Sequence, residues 1–85
     1  MIVNLYAVYD SASGVYDGPF PGQADAKMVQ KFGDMAKNPE TEVGKHPDCF
    51  TLFKVATWND GTGEVVDLVS ERLCNGAEII AKEDN

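Results

Sequence analysis

FTLFKVATWNDGTGEVVDLV, residues 50–69, is the stretch whose reading decides the fold. Phe50 to Trp58 is dense in β-branched and aromatic side chains, and it is too short and too evenly alternating for a helix. On strict alternation, Phe53, Val55 and Thr57 point one way, and Leu52, Lys54, Ala56 and Trp58 point the other. Asn59-Asp60-Gly61-Thr62-Gly63 follows, with Asp-Gly as a strong hairpin signal. Glu64 to Val69 then returns as the partner strand. An antiparallel hairpin therefore anchors the second half of the chain.

Working outward, residues 2–9 (IVNLYAVY) read as a further strand, and Asp10 to Gly14 carries turn chemistry. Val15 and Tyr16 continue as a short return strand. Asp17-Gly18-Pro19-Phe20-Pro21-Gly22 is expected to interrupt it, because proline cannot donate to a central ladder. Residues 23–37 read as a helix, with Met28, Val29, Phe32, Met35 and Ala36 on one face of a 3.6-residue period. Gly33 interrupts that helix and is expected either to permit close approach to the sheet or to weaken it. Asn38-Pro39 stops it. Residues 40–50 read as a loop holding one helical turn, and residues 70–85 as an irregular tail with a short helix at 70–74 and a strand or turn at 77–81. The expected architecture is a single α+β domain over 1–85: one main helix packed on a small three- to four-stranded, largely antiparallel sheet.

Eighty-five residues bury a modest core, and the exposed edges of so small a sheet invite a second copy, so a homodimer is expected. Fourteen acidic side chains against seven basic ones give a net charge of −7. That balance opposes long-range attraction to nucleic acid, so any DNA contact needs a local basic patch. The acids crowd the C-terminal third: residues 59–85 hold seven of them against Arg72 and Lys82. The candidate contact residues for DNA or a partner are therefore Lys27, Lys31 and Lys37 on the helix, Lys45 and His46 at the entrance to the central strand, and Lys54 with Trp58 on that strand. The aromatics Tyr6, Tyr9, Tyr16, Phe20, Phe50, Phe53 and Trp58 lie on or beside strands. Exposed, such side chains stack single-stranded bases; buried, they form the core, and most are expected to be buried.

Catalytic and cofactor chemistry find little support. There is one histidine, no GxSxG and no close Cys-His pair. Cys49 and Cys74 match no zinc or redox spacing and read as free thiols. Gly14, Gly18 and Gly22 lack the lysine of a phosphate-binding loop, and Asp60 to Glu64 is too short for a calcium loop. We expect no enzyme and no cofactor. No signal peptide opens the chain and its apolar runs are far below the ~18–20 residues of a membrane span, so the cytoplasm is the expected location.

Several separate features occur in a familiar order: Tyr9-Asp10 before the first turn, Pro19-Phe20, the helix with Phe32, Lys45-His46-Pro47-Asp48, Thr51-Leu52-Phe53, and the Asp60 to Gly63 turn. Over residues 4–68 the chain resembles the small nonstructural protein of gokushovirus-type microviruses, phages with single-stranded DNA genomes. The resemblance implies a nonstructural protein of the infected bacterium's cytoplasm. It also implies a role in single-stranded DNA synthesis or its hand-over to packaging, by binding DNA or the replication complex. The alternative is an acidic module that recruits or inhibits a DNA-handling protein of host or phage.

Overall fold

The computed structural model describes residues 1–83. Strands β1 (Ile2–Asp10) and β2 (Val15–Gly22) form a hairpin, followed by helices α1 (Asp25–Lys37) and α2 (Glu42–Lys45) and a 3₁₀ turn over Pro47–Cys49. Strands β3 (Phe50–Asn59) and β4 (Glu64–Asn75) form the second hairpin, and helix α3 (Gly76–Glu83) follows. The sheet is wholly antiparallel, in the order β2-β1-β3-β4. The α+β expectation holds with four strands, but α1 shares its side of the sheet with two further helices. No described helix is long and apolar enough to cross a membrane.

Turn chemistry closes both hairpins. Asp10 accepts from the Ala12 amide and the Ser13 hydroxyl, and Gly14 takes φ +76. Asn59 Oδ1 accepts from the amides of Gly61 and Thr62, and Gly63 takes φ +79. Short side chains that bond back to the chain, each followed by a positive-φ glycine, are what these reversals require.

One face of the sheet carries the core. Tyr6, Val8, Leu52 and Cys74 are buried there beneath Met28, Phe32 and Ala36 of α1 and Val43 of α2, with Ile79 of α3 packed alongside. The apolar period of α1 thus faces the sheet, as its spacing predicts. Gly33 serves a different neighbour from the one expected. A Cβ there would sit 3.3 Å from Ile79 Cγ2, so the glycine admits α3 and not the sheet.

Three expectations require correction. Residues 70–75 are strand and 76–83 are helix, the reverse of the sequence reading; residues 84–85 of the expected tail lie outside the described residues. Strand β4 persists through polar Ser70 and Glu71 because β3 supplies ladder partners as far as Asn75. Strand β2 runs on through Pro19 and Pro21, which an edge strand with an irregular register tolerates. The third correction concerns faces. Leu5 pairs with Ala56 but Tyr6 pairs with Lys54, so Val55 is a bulge residue without a partner on β1. The bulge resets the alternation. Lys54 shares the covered face with Tyr6, whereas Ala56 and Trp58 share the opposite face with Leu5 and Val3. Lys54 and Trp58 therefore do not share a face.

Candidate functional site

The face of the sheet opposite the helices is the most unusual surface of the molecule. Register places Val3, Leu5, Ala7 and Tyr9 of β1 on it, beside Phe53, Ala56 and Trp58 of β3. Tyr16 of β2 joins from one side, and Val65 and Leu68 of β4 from the other. Tyr9 and Tyr16 pack with ring centroids 4.8 Å apart, and Tyr16 meets Phe53 edge-on at 5.6 Å. The small residues Ala7 and Ala56 are buried among larger neighbours. The periphery is not: Leu68 is 88% exposed, and Val65 and Tyr16 are exposed too. All three helices pack on the other side, where their apolar residues join the core.

Charge avoids this face. The strand carboxylates Asp10, Asp17, Glu64, Asp67 and Glu71 all fall in register with the covered side. Arg72 stands opposite Phe53 but is ion-paired with Glu78 at the start of α3. An extended apolar patch free of carboxylates, on a chain of net charge −7, is the signature of a surface that meets another molecule.

The predicted contact residues do not assemble into one basic stripe. Lys27, Lys31 and Lys37 lie exposed on α1, on the covered side of the sheet. Lys45 is paired with Glu42 at 3.6 Å on α2. His46 is exposed between α2 and the 3₁₀ turn, where its backbone carbonyl accepts from the Cys49 amide. Trp58 stands alone of the set on the open face. Lys54 lies 2.8 Å from Asp25 and 4.0 Å from Glu71, inside the structure's most developed polar cluster.

That cluster ties α1 to the sheet. The Tyr6 hydroxyl, within a fully buried side chain, donates to Asp25 Oδ1 at 2.6 Å and accepts from the Asn4 amide at 3.0 Å. The Lys54 ammonium and then the Tyr6 hydroxyl hold the Asp25 carboxyl below its ordinary range. Burial, followed by the bond to Asp25, pushes the Tyr6 phenol up, and Asp25 raises Lys54. The ionised Asp25 thus favours the fold. Its contribution is complete above the unfolded carboxylate pKa of about 3.9 and is lost as pH falls through the lower folded value. Lys54 and Tyr6, both raised, contribute below their ordinary pKa values and lose that contribution as pH rises through the higher folded ones. Asp25→Asn is expected to lower stability by a constant amount at neutral pH, and the gap to wild type should close below about pH 4. Urea denaturation at a series of pH values checks this; a gap that does not narrow as the pH falls below about 4 would assign the loss to something other than the charge.

Cys49 and Cys74 are free thiols. Burial pushes the Cys74 thiol up, which makes it a core residue of low reactivity. Sequence reasoning assigned most strand aromatics to the core. The structure divides them: Tyr6, Phe20 and Phe50 belong to it, while Tyr9, Tyr16, Phe53 and Trp58 belong to the open face. The signal that separates the groups is strand parity once the Val55 bulge is counted.

Fold and surface together define a small sheet-and-helix protein built around an uncovered apolar face. A family model described as Phage ORF5 protein matches residues 3–79. The chain therefore belongs to this family of phage proteins. The match runs past Leu68 through the end of β4 and into the start of α3. No curated protein and no solved structure matches the chain.

Proposed function

We propose that this protein is a non-enzymatic accessory factor of a gokushovirus-type phage, made in the cytoplasm of the infected bacterium. It acts in single-stranded DNA genome synthesis or the hand-over of that DNA to packaging. In this reading it works as a homodimer joined through the open sheet face, and it engages a protein of the replication complex instead of bare DNA. The genome role rests on the sequence resemblance; the mode of action rests on the open face.

The carrying observation is that this face is apolar, free of strand carboxylates and covered by no described element. Two copies brought together there keep the strand carboxylates on their outer sides. Strands ~4.8 Å apart with a rise of ~3.3 Å per residue make four nine-residue strands a patch of roughly 19 by 30 Å. Two such patches bury about 1,100 Å², just above the ~1,000 Å² a specific interface needs. The edges are poorer candidates: β2 carries Pro19 and Pro21, and the β4 register shifts three times along its length.

Leu68→Glu places a charge on the face at a site that is exposed in the single chain. We expect sedimentation equilibrium at micromolar concentration to give a dimer for the wild type and a monomer of unchanged circular dichroism for this variant. A monomeric wild type overturns the dimer. A filter-binding titration with single-stranded DNA at low salt tests the rest, and no saturable, salt-sensitive binding is expected. A second reading, in which bases stack on Tyr9, Tyr16, Phe53 and Trp58, is favoured by the gathering of four aromatics on one face. Saturable DNA binding that Phe53→Ala weakens would establish it in place of the first.

A further inference from the structure

A concave surface lies on the covered side of the sheet, between α1, α2 and the β1–β2 hairpin. It is a groove of about 560 Å³, within the range of about 300–1,000 Å³ usual for binding pockets. Its floor is apolar, formed by Val8, Phe20, Phe32 and Leu52. Val15 and Met35 line its mouth and are 58% and 41% exposed, so the groove is reached from solvent without moving the core. The groove exists because β2 fails to fill it. Between Val15 and Phe20, the covered-face position of β2 is occupied by Asp17 where an apolar side chain would close the space.

Three carboxylates line the groove, Asp10, Asp17 and Glu42, against the ammonium of Lys31; Lys45 pairs with Glu42 at 3.6 Å, so the excess negative charge sits on the Asp10 and Asp17 side. Such a lining repels phosphate and acidic segments and attracts Lys and Arg. A second copy of the chain brings a net −7. We infer that the groove is the docking site for a short segment of a different protein, one that seats one or two large apolar side chains on the floor and flanks them with lysine or arginine. Apolar anchors in a pocket, with charge setting orientation at the rim, are how peptide segments are recognised.

The inference deepens the protein-docking reading, and the two fail separately. DNA binding in the filter assay overturns that reading, whereas the groove is decided by peptide chemistry. The probe is a library of random 12-residue peptides selected on the immobilised full chain, followed by fluorescence anisotropy of the highest-ranked peptide. We expect enriched peptides to combine aromatic or aliphatic residues with Lys or Arg. Their affinity should fall at least tenfold with Met35→Glu and with Asp17→Lys, and remain unchanged with Glu64→Lys, which alters a carboxylate outside the groove. Val15→Glu serves as the second mouth variant if Met35→Glu melts early. A selection that enriches nothing, peptides without a basic bias, or binding indifferent to Met35→Glu and Asp17→Lys overturns the assignment.

Discussion

Gly44→Ala is expected to be among the most damaging single-methyl additions in the molecule. A Cβ at Gly44 would lie 1.7 Å from the Asn38 carbonyl oxygen and 3.0 Å from that of Met35. Neither neighbour is the end of a flexible side chain. The Asn38 carbonyl already accepts from the Thr41 amide at 3.0 Å, and Thr41 Oγ1 bonds Met35 O at 2.7 Å while capping α2 through the Gly44 amide. The methyl group can be accommodated only if the turn between α1 and α2 opens, which breaks the cap and withdraws Val43 from the core. We expect a loss of about 3 kcal/mol, the upper end for forced overpacking. Against a total of ~5 kcal/mol, the lower end for a domain, most of the stability would be gone. Gly14→Ala is the control: its Cβ meets nothing within 4 Å, so only the positive φ opposes it, at about 1–2 kcal/mol. Urea denaturation of both variants decides the matter. Equal, small losses would mean that α2 does not approach Asn38 as described.

Tyr6 is the second large lever, and two substitutions separate its roles. Tyr6→Ala removes a fully buried ring from beneath α1 and from its stack with Phe20, whose centroid lies 6.5 Å away. A loss of about 3–5 kcal/mol is expected, as for other buried aromatic truncations. Tyr6→Phe keeps the ring and deletes the hydroxyl's bonds to the Asp25 carboxylate and the Asn4 side-chain amide, for a loss of about 1.5–3 kcal/mol. The pH dependence identifies that portion. The Phe variant should lose the part of the alkaline destabilisation that comes from the raised Tyr6 phenol, leaving the part due to Lys54. An alanine variant no worse than the phenylalanine one would remove Tyr6 from the core.

These two sites also mark how far local sequence carries. The helix over Asp25–Lys37 was legible because Met28, Phe32 and Ala36 repeat at a helical period that a single amphipathic element must satisfy. The Asp60-Gly61 reversal was legible because its chemistry is contained within five residues. Val55 was not. A bulge is decided by how three strands register against one another, and FTLFKVATW alternates smoothly whether or not a residue is skipped. That omission misplaced Trp58 relative to Lys54 and hid the open face. The end of β4 was obscured for a related reason: Ser70 and Glu71 have little strand preference of their own and are held by β3. Among candidate site residues, the lysines were legible as charges but not as neighbours. Lys54 looked like a free cation until Asp25, 29 positions earlier in the chain, arrived beside it. The groove was invisible, since it follows from an aspartate in β2 lying opposite Val8.

The two outer strands carry a consequence for how the sheet can grow. Proline in one and an uneven ladder in the other leave no regular template onto which a further strand can be laid. Sheet extension, the route by which small β-rich chains run on into fibres, is therefore terminated at both ends. The dimer proposed through the broad face is of a different kind: a two-fold contact is self-complementary and is satisfied once one partner has arrived. On the proposed reading, assembly through the broad face therefore stops at a pair.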